Sequence, residues 1–181
     1  MKSALVLAIV LSVTFGILSL PRKVEGVYSA GKRYYCLCDG SDYLRFHDGS
    51  VVHYSTAHEP ARLLGRYEVK SDGSVEVCMT PLRKGEKEKT LFTLGRPRIG
   101  FAFASTPGEN ESCLLMRVPN TGKITDMIAR QEVSQVTIRD ETQIDTTYYD
   151  SSLAMVREET KPIKNQRAEQ GAAGDGDKPA N

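Results

Sequence analysis

Four cysteines and three histidines are the side chains of this sequence best suited to chemistry. Cys36 and Cys38 lie two apart in YYCLC, Cys78 lies in VEVCM, and Cys113 opens CLLMRV. His47, His53 and His58 fall in one short stretch before Pro60. An even number of cysteines in an oxidising compartment favours disulfides. Residues two apart on a strand point to the same face, so Cys36 and Cys38 are poorly placed to bond each other. The expected scheme pairs one of them with Cys78 and the other with Cys113, in either combination. The rival is a soft or borderline metal held by Cys36, Cys38, His47, His53 and His58. Against it, the chain has no C-x-x-C motif, the spacing typical of structural zinc sites. No cofactor is indicated.

Patterns that would mark catalysis fail on context. Ser29 and Lys32 match S-x-x-K, but they precede a strand rather than open a helix,. Gly122-Lys123 lacks the upstream glycine of a phosphate-binding loop,. His58-Glu59 is followed by Pro60, which denies it the helix of a metalloprotease motif,. His47, Asp48 and Ser50 have the residue types of a relay, but as neighbours on one turn they have poor relay geometry. An exported hydrolase built on a histidine is therefore a lesser alternative.

The elements that must position these residues are organised around residues 43–79, which carry the tetrapeptide DGSV twice, at Asp48 and at Asp72. Asp-Gly between alternating apolar and polar runs marks a hairpin, because glycine supplies the positive φ of a tight turn. For the second copy, a loop of Ser71, Asp72 and Gly73 sets Val69 opposite Val75 and Tyr67 opposite Val77. One face is then apolar and the other polar, at the cost of facing Glu68 with Glu76. By analogy the first copy loops at His47, Asp48 and Gly49. Phe46, Leu44, Val52 and Tyr54 then share a face. A two-residue loop would instead group Phe46, Leu44, Val51 and His53.

Residues 1–26 read as a secretory signal peptide. Lys2 is followed by an apolar run to Leu20, and small residues at Val24 and Gly26 suit a cleavage site,. The alternative is an uncleaved anchor, which would bring in a membrane, although the run is short for a span. Either way the body of the protein leaves the cytosol, secreted or extracytoplasmic. The net charge is +1, and about −1 once Lys2, Arg22, Lys23 and Glu25 are removed. That balance gives no pull toward nucleic acid. Residues 27–157 suffice for one core and one domain.

Residues 82–98 hold a local excess of positive charge: Arg83, Lys84, Lys87, Lys89, Arg96 and Arg98 against Glu86 and Glu88. This is a weak candidate anion patch or a solvated connector. LFTLGRPRIGFAFAS then reads as two strands around a Gly-Arg-Pro break, and residues 98–119 as a third hairpin. The small residues Gly100, Ala102 and Ala104 admit a close neighbour. Asn110-Glu111-Ser112 is a glycosylation sequon,. Ile124, Met127 and Ile128 have helical spacing, which predicts a short helix over 125–133. Residues 135–140 alternate, 143–149 suit an edge strand or extended loop, and 152–159 a helical turn. Residues 158–181 have the composition of a disordered tail.

The fold expected is mainly β: an antiparallel meander of hairpins forming a small barrel or sandwich, with a short C-terminal helix and a disordered tail. In outline it resembles the lipocalin-like or small-barrel architecture. The function expected is an exported, non-enzymatic domain that binds a ligand or protein partner or has a structural role. An extracytoplasmic metal-binding protein is the alternative.

Overall fold

The computed structural model describes residues 2–18, 20–30, 42–55, 60–83, 85–108, 112–119 and 121–163. Helix α1 (Lys2–Leu18) leads into β1 (Gly26–Ala30), β2 (Asp42–His47), β3 (Ser50–Ser55) and β4 (Ala61–Val69). There follow β5 (Val75–Met79), β6 (Lys89–Leu94), β7 (Phe101–Ser105) and β8 (Ser112–Val118). Helix α2 (Gly122–Arg130) precedes β9 (Val133–Ile138), β10 (Gln143–Tyr149) and β11 (Met155–Pro162).

Each strand from β1 to β8 pairs antiparallel with the next, and β8 returns to pair with β1. The chain is thus a closed eight-stranded antiparallel barrel with extra strands and two helices. Closure leaves no open edge among these eight strands.

The β4–β5 hairpin has the register its alternation predicts. Tyr67 faces Val77, Glu68 faces Glu76 and Val69 faces Val75. The Lys70 N–H donates to the Ser74 carbonyl at 2.8 Å, and Gly73 takes a φ of 82°. The facing carboxylates are reconciled by Lys70, whose ammonium lies 3.2 Å from Glu68 and 2.6 Å from Glu76.

The β2–β3 hairpin corrects the expected register. Its loop is the two residues Asp48 and Gly49, with φ of 47° and 72°, and His47 pairs with Ser50. Phe46 faces Val51 and Leu44 faces His53, while Arg45 faces Val52. The reason is that β3 is buried on both faces. Val51 enters the barrel core, and Val52 and Tyr54 enter a second core outside it. An apolar pattern cannot choose the register of a strand that is apolar on both sides.

The barrel interior is filled by side chains, among them Tyr28, Leu44, Phe46, Val77, Phe92 and Leu115. Phe46 stands edge-on to both Tyr28 and Tyr67, with centroids 5.4 Å and 5.5 Å away. Ala102 and Ala104 point inward and leave room for these rings. Their partners in alternation, Phe103, Leu114 and Met116, are exposed on the outer surface.

The second core lies between the outer face of β1 and β3 and a cover made by α2 and β9. It joins Val27, Val52, Tyr54, Ile124, Ile128 and Val133. A helix forms on the expected apolar spacing but begins three residues earlier than expected, and Val133 already belongs to β9. It does not end the fold. β9 joins the start of β4 in parallel, through Ala61–Val133 and Arg62–Ser134. β10 pairs with β9 on one side and β11 on the other, so it is not an edge. The helical turn expected over 152–159 is instead a tight turn at Leu153, with φ 66°, followed by β11. That strand runs on to Pro162, into the stretch expected to be tail. Residues 164–181 lie outside the described residues.

Among the described residues no helix is long and apolar enough to cross a membrane. α1 is apolar along its length, and its described side chains beyond Val6 are mostly exposed.

Candidate functional site

One end of the barrel is crossed by residues 21–25, which run between the end of α1 and the start of β1. Val24 is only 5 % exposed and joins the barrel core. The segment is tied down by backbone bonds on one side. The Arg22 N–H donates to the Pro97 carbonyl at 2.9 Å, and Ile99 N–H donates to the Leu20 carbonyl at 2.9 Å. Pro21 bridges to Arg98. From inside the barrel the Tyr28 hydroxyl donates to the Val24 carbonyl at 2.9 Å.

Arg117 completes the strap. It stands opposite Tyr28 in the β1–β8 pair, two residues on from the buried Leu115 and on the same face of the strand,. Its guanidinium donates to the Lys23 carbonyl at 3.0 Å and to the Glu25 carbonyl, and lies 5.5 Å from the Tyr28 ring centroid. Burial is the main cause that pushes the Tyr28 phenol above its ordinary range, with the nearby Arg117 charge opposing it.

A cleft of about 660 Å³ opens beside the strap. Arg22, Arg45, His47 and Arg117 line it, with Glu25 as the acidic neighbour. Leu18, Ile99, Val118 and Ile128 supply an apolar wall. Arg45 is held in place by donating to the Ser151 carbonyl at 2.7 Å and reaching the Tyr54 hydroxyl at 3.5 Å. A guanidinium has five N–H donors in a fixed fork suited to carboxylate or phosphate. Three such groups beside an apolar wall make a place for an anionic head on an apolar body. A smaller cleft of about 460 Å³ lies on the other side of the strap, between it and the β4–β5 hairpin, and includes Tyr67 and Arg96.

The residues singled out from sequence scatter. Cys36, Cys38, His58, Lys84 and the sequon residues Asn110 and Glu111 lie outside the described residues. Cys78 is a free thiol, and no disulfide is seen among the described residues. Cys113 packs against the barrel core, opposite Ala104. Cys78 lies among outer-face carboxylates, opposite Arg66. A barrel wall thus separates the two, which is why they do not bond each other. Burial first, then Glu76, Glu88 and Glu68, pushes the Cys78 thiol above its ordinary value.

His47 sits at the hairpin end of β2, facing the cleft, whereas His53 alternates onto the same side as Leu44, in the barrel. The structure does not bring them together, and among the described residues no group of three or more potential ligands could hold a metal. The basic stretch also divides. Arg83, Lys87 and Lys89 are at one end of β6, and Arg96 and Arg98 follow its other end. A six-residue strand separates ends by roughly 20 Å. Only Arg96 and Arg98 stand at the strapped end.

The site residues that sequence reasoning missed are Arg22, Arg45 and Arg117. Arg22 falls in the stretch that reads as a leader, Arg45 and Arg117 are single arginines within strands, and the topology alone gathers them. The class that fold and site define is a filled eight-stranded barrel with a cationic cleft at its end. Comparison of the chain with family models, with curated proteins and with solved structures finds no match.

Proposed function

We propose that this chain is an exported, non-enzymatic β-domain that binds a small amphipathic anion in the cleft beside the strap. The observation that carries the reading is the convergence of Arg22, Arg45 and Arg117 against the apolar wall of Ile99, Val118 and Ile128. The filled barrel interior supports the same placement, because it leaves the ligand to an end cleft rather than a central cavity. Export is supported by the apolar run after Lys2, read as a leader,.

The ligand class follows from the lining. A carboxylate, phosphate or sulfate head would take the guanidinium donors, and an alkyl or aromatic body would cover the apolar wall. Calorimetric titration with decyl phosphate below its micellar concentration tests this. One saturable site is expected, with affinity at least tenfold weaker in Arg22→Glu, a change of about 1.4 kcal/mol. Absence of saturable binding, or equal binding of decanol, would overturn the proposal.

A further inference from the structure

We propose that residues 21–25 are a permanent strap of the working protein, and that any processing of the N-terminus cuts ahead of Pro21 rather than after Gly26. This rests on the proposed binding reading in one respect: Arg22 and Glu25 line the cleft, so a chain starting at Val27 would lack part of the site.

The two small residues that suggest a cut at Gly26 have other physical reasons to be there. Gly26 takes a φ of 141°, a conformation that side chains other than glycine rarely adopt,. A Cβ on it would lie 2.6 Å from an Arg117 guanidinium nitrogen. Glycine is therefore what lets the chain turn from the strap into β1 beneath Arg117. Val24 is the apolar stopper of the barrel end, buried with Tyr28 and Phe46 in one core.

Removal of residues 1–26 would undo both attachments at once. Arg117 would lose the Lys23 and Glu25 carbonyls it donates to, and the Tyr28 hydroxyl would lose the Val24 carbonyl. The Pro97 carbonyl would lose the Arg22 amide that it accepts from. The barrel end would then open onto buried aromatic rings, with polar groups inside it unsatisfied.

The test is the intact mass of the full chain, expressed with its own N-terminus in a secreting host and recovered from both cell and medium. A first residue at or before Pro21 is expected. A first residue at position 22 or later, Val27 above all, overturns the strap while leaving export intact. A chain that keeps Met1 and stays with the cells refutes export while meeting the strap prediction. Amide exchange on the same preparation supplies the second readout. The Arg22 amide, bonded to the Pro97 carbonyl across the strap, should exchange as slowly as the amides of β8. Exchange at the rate of an open chain would overturn the proposal whatever the first residue.

Discussion

Arg117 takes its partners from backbone carbonyls, those of Lys23 and Glu25, and so ties one segment of chain across the barrel. Tyr28 holds the same segment from inside through the Val24 carbonyl. Replacing Tyr28 with Phe keeps the ring and removes one buried donor, so it should cost about 1 kcal/mol of stability. Chemical denaturation with unchanged cooperativity would read that loss, and an unchanged midpoint would contradict it. Gly65 is a second residue whose type is dictated by close approach. A Cβ there would lie 1.9 Å from the Cys78 carbonyl oxygen and 2.9 Å from the Met79 Cα. Both atoms are backbone and cannot swing away, so Gly65→Ala should destabilise by about 2–3 kcal/mol. The signal was present in the sequence as a glycine inside an alternating run, which marks a bulge or a close neighbour. Cys78 gives the simplest test of the thiols. Alkylation of the unreduced protein at pH 8 should label Cys78, slowly, because burial and the carboxylates around it disfavour the thiolate,. No label at Cys78 before reduction would restore the disulfide scheme.

At the scale of elements, α2 shows how an outer layer is fixed to a closed barrel. Only Ile124 and Ile128 are buried on it, while its remaining face is largely exposed. Ile124→Ala should therefore cost about 2–4 kcal/mol. That loss should fall on the outer layer, seen as faster amide exchange in α2 and β9 than in β6 and β7; uniform loosening of all strands would contradict it. The open side of that layer is β11, where the exposed apolar Met155 and Val156 are followed by a largely charged run from Arg157 to Lys161. Arg157 bonds Glu132 at 2.5 Å and Glu159 at 3.2 Å and lies 3.8 Å from the Tyr148 ring centroid. Charged side chains on such an edge discourage pairing with another chain.

How much of these elements could be read in advance depended on how many sides of each were buried. The β4–β5 hairpin has one solvent face, so its alternation selected the three-residue loop correctly. The β7–β8 pair was legible as a hairpin, but its facing was not, because both faces are apolar: the small Ala102 and Ala104 turn inward and the large Phe103, Leu114 and Met116 outward. β3 serves two cores, and its pattern was silent on register. β1 went unread because its five residues adjoin a stretch that looks like a leader. The cleft was illegible in principle: Arg22, Arg45 and Arg117 are far apart in sequence, and the β1–β2 and β1–β8 pairs bring them together.

For the molecule as a whole, pH dependence follows from carboxylates held in the charged form by their hydrogen-bond and ion-pair partners. The Lys70 ammonium lowers Glu76, the Thr160 hydroxyl and then Arg139 lower Asp145, and the Ser152 hydroxyl lowers Asp150. Their folded values lie below their unfolded ones, so the stability they contribute is present above about pH 4 and lost as pH falls through the lowered values. Denaturation midpoints should hold from pH 7 to 5 and fall toward pH 3; a flat profile would contradict this. Tyr28 and Tyr54 carry the opposite sign. Burial raises both phenols, so their contribution is complete below about pH 10 and is lost as pH rises through the raised values,.

The central claim is that a filled barrel binds at its strapped end. An amide chemical-shift titration of the full chain with decyl phosphate tests it most directly. The account predicts saturable shifts concentrated at Arg22, Gly26, His47, Gly100 and Thr125, around the cleft. Shifts centred instead on Val77, Phe92, Ala102 and Leu115, deep in the barrel, or no saturable shift at all, would contradict it.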